Sequence, residues 1–331
     1  MTKDLPSGEM AIDTITGYQF RPSDMHIADR VPGISAFMRC RNGADFVEST
    51  IRSHIGFYDE IVVVYNQCTD ATPDILARLM QEFGPKLRVY HYTDRVQPLG
   101  SQGHATEAGD SPESMVNYSN FVLAQTRHRI VVKLDDDHYA IPSEVAALVS
   151  DLRSGKADAR FQHCFSGFNI ARDQDGTLGI PAFDPVVGGG DHGYFHVSED
   201  TRFFHDKRFE RFGRGPLKRR FAGFFYWHLK YLKAGQGFKN YELNDNPDSR
   251  FARKKVQFEK SGLLSLPEAC AALTPGLVDR FAALLSEKSR LKFDRDTQAG
   301  PMFAGQSLTD ALDRLCPDWT SVPRLGRRAE D

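Results

Sequence analysis

The chain has 331 residues, with 42 Lys and Arg against 44 Asp and Glu for a formal net charge of −2. That balance argues against a nucleic-acid partner, and 40% hydrophobic with 26% charged residues describes a soluble globular chain with room for one large domain or two small ones. Five cysteines (Cys40, Cys68, Cys164, Cys270, Cys316) are scattered and never form a Cys-x-x-Cys pair, which argues against a disulfide framework or zinc ribbon and leads us to expect a reducing cytoplasm.

Residues 1–30 mix Pro, Gly, Asp and Thr without a period and read as an extension. No apolar stretch follows Met1 and no apolar run approaches the ~18 residues of a membrane span, so neither a signal peptide nor a spanning helix is expected. Ile34-Ser35-Ala36-Phe37-Met38-Arg39-Cys40 reads as a first buried strand closed by the turn Asn42-Gly43, and Phe46, Val47, Ile51 and Ile55 recur at helical spacing behind it. Ile61-Val62-Val63-Val64-Tyr65, apolar on both faces, suits the interior of a parallel sheet. Thr72-Pro73-Asp74 supplies a cap, a proline and an acid to start a helix bearing Leu76, Leu79 and Met80, which ends at Gly84.

A third strand over 87–92 precedes a long loop, 94–114, of the kind used as a lid or substrate loop. A helix around 115–125 leads to Ile130-Val131-Val132-Lys133-Leu134-Asp135-Asp136-Asp137-His138, a buried strand that surfaces at three carboxylates. Three adjacent acids call for a cation, and Mg²⁺ and its relatives take carboxylate oxygens; a solvated acidic turn is the plainer alternative. A helix from Ser143 to Gly155 completes four strand–helix alternations, which predicts an α/β fold with a mainly parallel sheet covered on both faces. In such sheets ligands sit beyond the carboxyl ends of the strands, so Asn42, Tyr65 to Asp70 and Asp135 to Asp137 are expected to converge on one crevice.

The second half carries strand-like segments near 161 and 178, a glycine-rich loop over 188–193, and a hairpin over 194–205. The segment 207–220 follows, with seven Lys and Arg against one Glu. Thr274-Pro275 starts a helix with Val278, Phe281, Leu284 and Leu285 on one face, read as core or a partner surface rather than a membrane anchor. Ser307 starts another.

This order of parts resembles the GT-A fold glycosyltransferases, specifically the family 2 group that builds bacterial surface polysaccharides. Residues 61–76 are similar to the family's second strand, nucleotide-contacting turn and following helix; Asp135-Asp136-Asp137 is similar to its Asp-x-Asp motif; and Trp227-His228-Leu229-Lys230 resembles the later histidine that completes the metal site. The resemblance spans roughly residues 33–235 and implies a GT-A-like, Rossmann-like sheet over 31–240. The nucleotide-binding half would cover 31–155 and the acceptor half 156–240, with a small helical region at 241–331. One departure stands out: where the family places an aspartate to read the base, this chain has Tyr65, which can stack but cannot accept two N–H bonds.

By this resemblance Mn²⁺ or Mg²⁺ would be held by Asp137, Asp135 and His228. Strand alternation puts Asp135 and Asp137 on one side and Asp136, directed to the ribose, on the other. Arg39, Arg41, Asn42, Tyr65, Asn66 and Asp70 would meet the nucleotide, and Lys133 needs a carboxylate or phosphate partner. For the base that activates the acceptor hydroxyl, Asp191 is the first candidate, with Asp200 and Glu210 as rivals. The basic segment could grip an anionic acceptor, the donor pyrophosphate or a membrane surface. The resulting expectation is a cytoplasmic or peripherally membrane-bound glycosyltransferase taking a nucleotide-sugar donor and a glycan or lipid-linked glycan acceptor. A sugar-nucleotide nucleotidyltransferase and a non-catalytic glycan- or nucleotide-binding scaffold are its alternatives.

Overall fold

The β-branched runs form the inner strands of a nine-stranded sheet in the computed structural model, which describes residues 11–206 and 210–326, with the side chains of 189–191 left aside. In chain order the strands are β1 (Asp13–Ile15), β2 (Val31–Cys40), β3 (Glu60–Asn66), β4 (Leu87–Tyr92), β5 (His128–Lys133), β6 (His138–Ala140) and β7 (Phe161–Asn169). Then come β8 (Ala171–Arg172), β9 (Leu178–Pro181), β10 (Val186–His196), β11 (Thr201–Phe204), β12 (Arg211–Arg214), β13 (Lys218–His228) and β14 (Leu263–Leu264). The helices are α1 (Val47–His54), α2 (Thr72–Phe83), α3 (Gln102–Thr106), α4 (Met115–Ala124), α5 (Pro142–Arg153), α6 (Arg250–Lys260), α7 (Leu266–Leu273), α8 (Leu277–Leu285), α9 (Glu287–Phe303) and α10 (Leu308–Leu315).

The sheet runs β1-β4-β3-β2-β5-β10-β7-β13-β6. Pairings from β1 to β5 are parallel, as is β7 with β13; β10 runs antiparallel to both its neighbours and β6 antiparallel to β13. The expected mainly parallel α/β sheet is therefore present, with its exceptions in the second half.

Burial on both faces explains why the centres of β2, β3 and β5 are largely apolar. Ala36, Met38, Ile61, Val63 and Val132 face a core closed by α1, α2 and α5, whereas Phe37, Val62, Val64 and Val131 face a second core closed by α4. Each such side chain contributes roughly 1.5–3 kcal/mol by leaving water. The N-terminal segment is part of the structure: β1 extends the sheet edge and Met25 is buried in the α4 core.

A third core ties the C-terminal helices to the sheet. Phe168 on β7 and Phe224 and Trp227 on β13 pack with Leu266, Leu291, Phe303 and Leu312. The helix expected from Thr274 forms as α8, but the core role proposed for its apolar face does not hold: Val278, Phe281, Leu284 and Leu285 point outward, and Asp279, Ala282 and Ala283 are half-buried. Among the described residues no helix is long and apolar enough to cross a membrane.

Candidate active site

β5 ends at Lys133, and the chain turns through Leu134 to Asp137 before β6 begins at His138. The turn delivers three carboxylates to the carboxyl edge of the sheet. Because the strand has already ended, the period-two separation of the acids fails. Asp135 goes one way, with Lys133 Nζ 2.8 Å from Oδ1 and His192 Nε2 3.0 Å from Oδ2. Asp136 and Asp137 go the other, sharing Lys233, whose Nζ is 2.8 Å from Asp136 Oδ1 and 2.8 Å from Asp137 Oδ2. The expected pairing of Asp135 with Asp137 is corrected accordingly; that of Lys133 with a carboxylate stands.

His228 closes the Asp137 side. Its Nδ1 meets Asn169 Oδ1, which turns Nε2 inward to 3.1 Å from Asp137 Oδ1. Asn169 is itself fixed by donating to the Asp184 carbonyl at 2.6 Å. Directly opposite His228 in the β6–β13 register lies His138, 1% exposed and stacked on Tyr226 with ring centroids 3.7 Å apart. Both ring nitrogens of His138 are buried without a hydrogen-bond partner, and Asp137 Oδ1 has none beyond its ion-pair contact with His228 Nε2.

Two ligand triads result, both using His138: Asp137–His138–His228 and Asp135–His138–His192, each with its ligand atoms within 4.8 Å of one another. Buried polar atoms without partners are costly, and two imidazoles with a carboxylate form a donor set suited to a divalent transition metal. The residues therefore fit a divalent transition ion such as Mn²⁺, and not the all-oxygen Mg²⁺ site that the acidic triplet alone suggested. The two triads differ in one respect. Lys133, on a rigid central strand, already neutralises Asp135, whereas Lys233, which neutralises Asp137, sits in the irregular segment after β13.

The electrostatics follow this geometry. Burial alone would raise the Asp135 carboxyl, yet Lys133 and His192 hold it well below the usual range. Burial likewise opposes ionisation of Asp137, but Lys233 and His228 hold it low. Asp136 is pushed up to about 6 by burial, against the pull of Lys233 and with the charge of Asp137 adding to the rise. Burial drives His138 far below the usual imidazole value, leaving it neutral and able to ligate.

Lys133, Asp135, Asp136, Asp137, His192, His228 and Lys233 line a cavity of about 860 Å³ that also receives Arg39, Arg41, Asn42, Asn66, Asp70 and Glu210, whereas His138 is buried outside its lining. Thus the ends of β2, β3 and β5 do converge. Within it Arg39 Nη1 is 2.6 Å from Glu210 Oε1, and Arg41 Nη2 is 3.3 Å from Glu242 Oε1. Asn42, in the left-handed region at φ +53°, accepts from the Thr69 N–H at 2.7 Å and donates to Asn240 Oδ1 at 2.9 Å. Asp70 accepts from Ala44 N at 3.1 Å and caps α2 through Thr72. Asn66 donates to the carbonyls of Tyr92 and Asp94, bracing the ends of β3 and β4.

Three sequence candidates stand apart. Tyr65 is outside the cavity lining; it is buried and stacks on His91 with centroids 4.6 Å apart. Asp200 occupies an exposed turn and does not line the cavity. The Asp191 side chain lies outside the described residues, as do residues 207–209 of the basic segment. His138, His192 and Lys233 went unnoticed in the sequence. His138 carried one signal, since it follows the acidic triplet directly; the others depend on pairings between distant segments.

No family model matches the chain, and no curated protein does. Solved structures similar to it include glucosyl-3-phosphoglycerate synthase from Mycobacterium tuberculosis in complex with Mg²⁺ and uridine diphosphate, 22% identical over 48% of this chain and 51% of that chain, with a TM-score of 0.28. Others are TarS residues 1–349 of S. aureus, 12% identical over 87% and 82% with a TM-score of 0.33, and a mycobacterial protein, 23% identical over 45% of each chain with a TM-score of 0.28. The chain spans about half the length of the first of these. At TM-scores this low the functional reading rests on the cavity itself.

Proposed function

We propose that this chain is a metal-dependent glycosyltransferase that moves a sugar from a nucleotide-sugar donor onto a glycan or lipid-linked glycan acceptor. The observation that carries the reading is the buried Asp137–His138–His228 triad, whose Asp137 and His228 line the 860 Å³ cavity at the strand ends while His138 lies buried beside them with both ring nitrogens unsatisfied. Charge supports it as well. Three aspartates against Lys133 and Lys233 leave the acidic edge negative, so a diphosphate drawn in by the arginines and lysines of the remaining lining would meet that edge through a divalent cation.

Asp137, His138 and His228 would hold a divalent transition ion, Mn²⁺ in preference to Mg²⁺, and such an ion would supply Lewis-acid stabilisation of the leaving diphosphate. The chain's own residues do the rest. Arg39 and Arg41, projecting from the end of β2, attract and orient the anionic donor. The turn made by Asn42 and Thr69 shapes the nucleotide edge, and Asp136 is available to the ribose. Glu210 is the base candidate whose carboxylate reaches the cavity wall, where it can take the proton of an acceptor hydroxyl; Arg39 at 2.6 Å fixes its position.

The test is calorimetric titration of nucleoside diphosphates with and without Mn²⁺, followed by donor hydrolysis across UDP-, GDP-, CMP- and dTDP-sugars. One diphosphate should bind more tightly with metal, and Asp137→Ala should remove the difference. If no diphosphate responds to metal and Asp137→Ala changes nothing, the reading is lost.

A further inference from the structure

Helix α8 is packed inside out. Leu277, Val278, Phe281, Leu284 and Leu285 fall on one stripe at helical spacing and are 76%, 81%, 68%, 80% and 87% exposed. Five large apolar side chains contiguous on nine residues exceed the scattered exposure of an ordinary surface and mark a contact face.

Its surroundings identify the partner. Arg280, on the helix, and Lys288 and Arg290, just beyond it, are exposed. Glu287, two residues past Leu285, holds Arg214 at 2.6 Å and Arg219 at 3.0 Å, fastening the basic β12–β13 pair to the end of α8. The same two strands carry exposed Arg211, Lys218 and Arg220. The acids on α8 and just past its end are already committed: Glu287 to those arginines, and Asp279 to Lys292 at 3.1 Å and to the Gly276 N–H at 3.0 Å. An apolar stripe flanked by cations of one sign is the make-up of a helix lying in the interface of an anionic bilayer. It does not suit a symmetric contact with a second copy, in which those like charges would be brought together.

We infer that α8, with the cations of β12 and β13, is a membrane-docking face that seats this protein on an anionic phospholipid surface. Arg211, Arg214 and Arg219 also line the cavity, so docking brings its mouth to the bilayer.

The test is co-sedimentation of the full chain with phosphatidylcholine vesicles, with and without phosphatidylglycerol, in low salt and without metal or nucleotide, so that failure leaves the transferase reading untouched. Binding to the mixed vesicles should be at least about tenfold tighter than to the neutral ones. Phe281→Ser/Leu285→Ser should weaken it by about tenfold, and Lys218→Glu/Lys288→Glu should abolish the preference for phosphatidylglycerol, with thermal unfolding unchanged because all four positions are exposed. Equal binding to both vesicles, or wild-type binding by Phe281→Ser/Leu285→Ser, overturns the inference. So does a dimer in light scattering that this double variant splits, which would assign the face to self-association.

Discussion

Lys233 sets its ammonium 2.8 Å from Asp137 Oδ2, on the carboxylate whose other oxygen lies 3.1 Å from His228 Nε2. The lysine thus stands where a divalent ion bound by Asp137 would exert its charge, and the two cations compete. Lys233→Met keeps an unbranched side chain of nearly the same length and removes the competitor. The nucleotide-free variant should bind Mn²⁺ about tenfold more tightly than wild type, measured by the free-Mn²⁺ signal in electron paramagnetic resonance, since a buried ion pair no longer has to be broken. Without metal the variant should be less stable, because Asp136 and Asp137 lose their shared partner. Unchanged or weaker Mn²⁺ binding would show that Lys233 does not guard the site.

The two triads sharing His138 make separable predictions. His138→Ala should abolish Mn²⁺ binding in the same resonance assay. Asp135→Asn should leave Mn²⁺ bound but lower stability by about 3 kcal/mol in urea unfolding, because the Lys133 ammonium, 4% exposed as a residue, loses its carboxylate. If Asp135→Asn eliminated Mn²⁺ binding with little loss of stability, the ion would belong to the Asp135 side.

The difference between these two sides marks where sequence reading succeeds. Ile61 to Val64 announce a central strand because burial on both faces leaves no room for polar alternation, and Pro73-Asp74 announces a helix start because a proline and an acid suit the first turn, although the cap falls on Ala71 and not on Thr72. The convergence of Asn42, Asp70 and the acidic triplet followed from parallel-sheet topology alone. What stayed hidden depends on pairings across long separations. The register that sets His138 against His228 joins residues 90 apart in sequence, and nothing local encodes it. The split of the three acids was misread because alternation was carried past Lys133, where the strand ends. The outward face of α8 has the same periodicity as a buried one; periodicity identifies a stripe, not what covers it.

Acid should destabilise the fold through buried histidine. His54 is 3% exposed, its Nδ1 lies 2.9 Å from the Thr50 carbonyl, and burial pushes it down to about 4. In the unfolded chain it titrates near ~6.5. Between those values the unfolded state binds the extra proton, so stability is full above pH ~6.5 and falls as pH drops towards ~4, by up to about 3 kcal/mol for this residue alone. Denaturant midpoints measured at pH 7 and pH 5 should show the fall, and His54→Asn should flatten it. A midpoint that rises on acidification would contradict the assignment.

Phe303 tests whether the C-terminal helices belong to the cooperative unit that carries the site. Its ring meets Phe168 at 5.0 Å, Trp227 at 5.5 Å and Phe224 at 5.8 Å between centroids, and the residue is 1% exposed. Trp227 immediately precedes His228 on β13, so packing lost beneath the tryptophan acts on the strand that positions the ligand. Phe303→Ala should cost about 3–5 kcal/mol in urea unfolding, the range for emptying an aromatic position in a closed core. Because residues in one packed cluster couple, the same substitution should weaken Mn²⁺ binding a few-fold although no ligand is touched. A small loss confined to an early, separate transition, with Mn²⁺ affinity intact, would instead mean that α9 folds apart from the sheet and only rests against it.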